Sequence, residues 1–143
     1  MLRRAVPQLL AAAVLLAGCG SSEGTEFVKS ANKVCFAMNG MLQSQRTAKT
    51  AAESRDALAR LVGSMRHYKE QFEKIQPPAA DAQQYGELLR QMGFVVAGLE
   101  RTRVAVAAAK PAAVAKAQDE FMLAAMKVDR LAGELGISQC ATS

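Results

Sequence analysis

Four runs of apolar residues recur along this chain in steps of three and four, and each ends at a proline or a polar interval. That period is one face of an α-helix; a half-buried strand would alternate every second residue instead. The first run is Phe27, Ala31, Val34, Met38 and Met41, with Cys35 beside it at the expected edge of the core, and it lapses through 43–47. The second is Leu58, Leu61, Met65, Tyr68, Phe72 and Ile75. It opens on Thr50-Ala51-Ala52-Glu53, a capping box in which hydroxyl and carboxylate satisfy each other's backbone donors, and closes at Pro77-Pro78. The third starts near Asp81, with Gln84 three residues on, and reads Tyr85, Leu88, Met92, Val95, Leu99, Thr102 and Val106. Leu89 and Val96 widen its apolar face. Lys110-Pro111 breaks the pattern, and Pro111 suits the first turn of a fourth helix bearing Val114, Ala117, Phe121, Ala124, Val128, Leu131 and Leu135. Gly136 is placed as a left-handed C-terminal residue and Ile137 as its hydrophobic closure. With short connections and no strand alternation, residues 25–143 are expected to form an all-α, up-down-up-down antiparallel four-helix bundle.

Upstream of the first stripe, Met1-Leu2-Arg3-Arg4 is basic, and the run from Ala5 to Leu16 is apolar apart from Pro7 and Gln8, too short to span a bilayer. It ends in Leu16-Ala17-Gly18-Cys19, which resembles the lipobox of bacterial lipoproteins. The resemblance implies cleavage before Cys19, diacylglyceryl attachment to its thiol, and a place on the extracytoplasmic face of the cell membrane. Residues 1–18 are then a signal peptide. The small polar residues of 19–24 read as a flexible tether, with Thr25 capping the first helix and Glu26 in its first turn. Removing 18 of the 143 residues leaves 125, enough for one domain with a single core.

With Cys19 acylated, Cys35 and Cys140 remain, and an oxidising compartment favours their pairing. The helix count agrees. An even number of antiparallel helices returns the end of the last to the start of the first, where the two thiols could meet; three helices would put them at opposite ends. Phe27-x-x-x-Ala31-x-x-x-Cys35, the Pro77-Pro78 break and Leu135-Gly136-Ile137-x-x-Cys140 after a lipobox are also similar to small helical lipoproteins of high-GC Gram-positive bacteria. That resemblance implies the same cysteine pairing and no particular activity.

The residues supply no catalytic constellation, and the chain is expected to be non-enzymatic, without cofactor or metal. His67 is the sole histidine and falls off the stripe of its helix, so a solvated surface position is expected. The chain has no C-x-x-C-H for haem attachment, no HExxH, and no inward Glu-x-x-His for a di-iron bundle. A carrier or sensor holding a small apolar ligand, haem or copper inside the bundle is the alternative. It would need His67 turned inward, or thioethers from Met38, Met41, Met65, Met92, Met122 and Met126 converging on one point. Methionines on apolar stripes are otherwise flexible core filling. Gly40, Gly63, Gly93, Gly98 and Gly133 fall inside helices, where each costs about 0.8–1 kcal/mol against alanine. Close helix approach or a small internal groove would each account for them.

Charge gives the one indication of a partner. The formal charge of +5 becomes +3 once Arg3 and Arg4 leave with the signal, too little to argue for nucleic acid. Residues 43–60 carry four cations against two acids, and residues 100–116 carry four against one. An up-down bundle brings these two intervals together at the end away from the lipid, giving a basic tip. Arg46, Lys49, Arg101 and Arg103 are its expected contacts with a partner protein or an anionic envelope polymer, unless the tip is simply a solvated surface.

Overall fold

The computed structural model describes residues 22–44 and 48–141, so residues 1–18 expected as a signal peptide, Cys19 and Arg46 lie outside the described residues. Within them the chain is a four-helix bundle: α1 Ser22–Gln43, α2 Ala51–Glu73, α3 Ala82–Ala107 and α4 Pro111–Glu134. None of these helices is long and apolar enough to cross a membrane.

The helix starts follow local chemistry, with two departures. The capping box at the start of α2 forms as expected: Glu53 N–H donates to Thr50 Oγ1 at 3.1 Å, and Thr50 N–H donates to Glu53 Oε2 at 3.2 Å. Pro111 occupies the first turn of α4. In contrast, α1 begins at Ser22 rather than at a Thr25 cap, so half of the segment expected to be tether is helical. Glu23 stands in that first turn, where a carboxylate favours the positive end of the helix dipole. Asp81 is the N-cap of α3 but makes no side-chain cap bond; Gln84 instead donates to Glu134 Oε2 at 2.6 Å, tying the start of α3 to the end of α4.

Both α3 and α4 end in the same left-handed motif. After α4, Ile137 N–H reaches Ala132 O at 2.8 Å and Gly136 N–H reaches Gly133 O at 3.1 Å, with Gly136 at φ +74° and Ile137 fully buried. After α3, Lys110 N–H reaches Ala105 O at 3.0 Å and Ala109 N–H reaches Val106 O at 3.1 Å, but the left-handed residue is Ala109, φ +51°. Its Cβ strains that conformation. Ala109→Gly is therefore expected to stabilise the protein by about 0.5–1 kcal/mol after the added unfolded-state entropy, read as a higher urea midpoint at unchanged slope.

Packing divides the bundle lengthwise. The proximal core, where α1 begins, gathers Phe27, Ala31, Cys35, Phe72, Tyr85, Leu88, Met92, Leu131 and Ile137. Phe27 meets the Tyr85 ring edge-on at 5.0 Å, and the Tyr85 hydroxyl donates to Phe72 O at 2.7 Å. The distal core of Val62, Val95, Leu99 and Ala124, flanked by Leu58, Leu61, Met65 and Phe121, contains no α1 residue. The hydrogen bond from the Tyr68 hydroxyl to Ala37 O fixes the level of α1 against α2. At 1.5 Å per residue, α2 then runs about 16 Å beyond the end of α1. Among the described helices, α2, α3 and α4 thus make the distal end.

Among the helices, only α2 approaches α1 closely along its backbone, whereas α3 and α4 pack along each other. The chain after α4 completes the attachment of α1. It turns back and lies against α1, where Asn39 Nδ2 donates to Gln139 O at 2.7 Å and Gln139 N–H donates to Asn32 Oδ1 at 2.8 Å. Cys35 and Cys140 are bridged between these bonds, with Cα atoms 5.2 Å apart across 105 residues. Cys35 is fully buried rather than at the core edge, because this returning segment covers it.

Candidate functional site

The distal end holds a cleft of about 460 Å³ between the last turns of α3 and the first turns of α4. Its position follows from Gly98. The missing side chain lets α4 come so close that a Cβ at residue 98 would stand 2.5 Å from Phe121 Cβ. Thr102, one turn on, is buried and satisfies its hydroxyl on Gly98 O at 2.9 Å. Beyond it the facing residues are small: Ala105, Ala108, Ala113 and Ala117 leave open space, with Val104 exposed at the mouth.

The rim is charged and sorted. At the inner end Arg101 Nη2 pairs with Glu120 Oε2 across the two helices at 2.9 Å. Arg103 grips Glu100 through two hydrogen bonds of 3.0 and 2.6 Å. Those bonds hold the Glu100 carboxyl below the usual carboxylate range and the guanidinium above its own. At the outer end Lys110 and Lys116 line the cleft and form no ion pair among the described residues.

The expected tip is redistributed accordingly. Arg101 and Arg103 are at this end, but each is committed to an acid and is not a free cation. Lys49 is exposed at the entry to α2, its backbone N–H bonded to Glu53 Oε2 at 2.7 Å, and its ammonium has no ion pair among the described residues. The pairing of Arg103 was legible, since Glu100 precedes it by three residues on one helix face. So was the availability of Lys110, which has no acid three or four residues away. The availability of Lys116 was not legible. Asp119 and Glu120 follow at helical spacing, and only the approach of α3 gives Glu120 to Arg101 instead.

The other candidates do not assemble into a site. His67 is exposed, its ring edge-on to Tyr68 at 5.7 Å. Met38 and Met92 belong to the proximal core, Met65 to the distal core, and Met122 and Met126 face solvent, so these thioethers do not converge. Of Gly40, Gly63, Gly93, Gly98 and Gly133, only Gly98 serves close approach. A Cβ at Gly40 or Gly63 would meet nothing within 4 Å, and at Gly93 and Gly133 only ordinary contacts. A second cleft of about 500 Å³ at the proximal end is lined by Glu23, Glu26, Ser30, Lys74 and Gln76 beside Phe27 and Pro77-Pro78.

No family model, curated protein or solved structure matches this chain.

Proposed function

We propose that the protein is a non-enzymatic helical module, held on the extracytoplasmic face of the cell membrane by a lipid on Cys19, whose distal end binds an anionic envelope polymer. The observation that supports this reading is the set of cations at that end without acidic partners among the described residues: Lys110 and Lys116 at the cleft and Lys49 at the entry to α2. The lipobox-like Leu16-Ala17-Gly18-Cys19 precedes α1 by three residues and so anchors the opposite end. The 26 residues of α3 set the distance between the two ends at about 39 Å.

Several lysines act together on a polyanion, and their attraction is screened over about 10 Å at 0.1 M salt. Retention on purified envelope should therefore be strong at low salt and fall as salt rises. Lys49→Glu, Lys110→Glu and Lys116→Glu combined should abolish it while helical circular dichroism is unchanged. Retention equal to wild type by a folded triple variant overturns the reading. Reversing Arg101 and Arg103 is a poorer probe, since it strands Glu120 and Glu100 beside new acids. The anchor has its own test: Cys19→Ala should appear in the culture medium or as unprocessed precursor, and a processed, membrane-retained variant refutes the lipid assignment.

A further inference from the structure

We infer that the α3–α4 cleft receives a single-chain amphiphile with an acidic head, an alkyl chain ending in a carboxylate. The inference shares with the proposed function the choice of the distal end, and adds a ligand that enters the cleft rather than touching the lysines from outside. Volume, lining and polarity carry it together. About 460 Å³ lies within the range of small-molecule sites, roughly 300–1,000 Å³. Ala105, Ala108 and Ala113, with Val104 at the mouth, offer methyl groups and no hydrogen-bonding side chain, and Val104 is 54 % exposed, so an alkyl chain there removes apolar surface from water. The two ends differ in charge. Arg101 and Glu120 neutralise each other at the inner end, whereas Lys110 and Lys116 at the outer end have no ion pair among the described residues. A bound amphiphile is thereby oriented, chain inward and acidic head toward the tip. A cationic head would meet two ammonium groups, and a neutral head would leave them without a counter-charge.

Calorimetric titration with dodecanoate below its micelle threshold tests this, with dodecyl maltoside, dodecyltrimethylammonium and acetate as controls. Dodecanoate should bind at a single site, the neutral and cationic chains about tenfold more weakly or not at all, and acetate not measurably. Methyl resonances of Val104, Ala108 and Ala113 should move on binding. Shifts centred instead on the exposed Phe36 or Met126 overturn the inference, as does equal binding of dodecyl maltoside. The paired substitution Val104→Gln, Ala113→Gln keeps every charge and should weaken dodecanoate about tenfold while leaving envelope retention intact; Ala113→Gln alone, at an exposed position, serves if the pair fails to fold. Undiminished dodecanoate binding by either variant sinks the amphiphile and leaves the polymer reading standing. The lysine variant should lose both retention and dodecanoate, so retention kept by the Gln variant and lost by the lysine variant, with dodecanoate weakened in both, supports the two readings together.

Discussion

Replacing Gly98 by alanine should destabilise this protein by about 1–3 kcal/mol, the range for overpacking a tight contact, although alanine is the better helix former. The added Cβ would lie 2.5 Å from Phe121 Cβ and 3.0 Å from Phe121 Cα. A backbone atom cannot rotate away, so α3 and α4 must separate along their interface. The same substitution at Gly40 or Gly63 meets nothing within 4 Å and should stabilise by about 0.8–1 kcal/mol. Urea unfolding of the three variants therefore yields opposite signs from one chemical change. A Gly98→Ala midpoint at or above wild type would show that the α3–α4 approach is looser than described. Separation would also widen the alanine-lined cleft, so the variant should bind dodecanoate less well than wild type.

Loss of the Cys35–Cys140 bridge should cost about 2–5 kcal/mol, with the chain-entropy model giving about 4.7 for a loop near 100 residues. Its effect should be uneven along the chain. The bridge secures the returning segment to α1, and α1 approaches only α2 closely along its backbone. Without it, the link at that point rests on Ile137 in the proximal core and on Asn32 and Asn39 holding Gln139. Amide exchange in the reduced protein should rise first in α1 and in 137–141, while α3 and α4 keep their protection. Helical circular dichroism at 25 °C should change little, and the melting temperature should fall. Uniform loss of protection across all four helices would contradict this division of the bundle.

Much of the architecture was legible because its causes are local. Periodicity of three and four, the Thr50–Glu53 box, Pro77-Pro78, Pro111 and the Gly136-Ile137 terminus each act within one or two helical turns, and each stands where the stripes put it. The start of α1 was misread because Ser22-Glu23-Gly24 has the composition of a tether, and composition does not count the helical turns that follow. The positions that form the core also shifted. Val62 and Ala105 are buried while Leu61 and Val106 are only half-buried, because helix crossing, and not periodicity, selects which side of a wide stripe faces inward.

The sequence by itself determined the number of helices, their order and most of their ends. Tertiary structure alone decided where α1 stops against α2, and hence that three helices build the distal end. It also decided that Gly98 admits a neighbouring helix while Gly40 and Gly63 face open space, that Gln139 is clasped by Asn32 and Asn39, and that Glu120 goes to Arg101, leaving Lys116 without an ion pair among the described residues. The physical reason is range. Helix formation and capping are set by neighbours four residues away or fewer, which the sequence places directly. Close approach and charge pairing between helices depend on axial offset and rotation, which follow from packing the whole core at once.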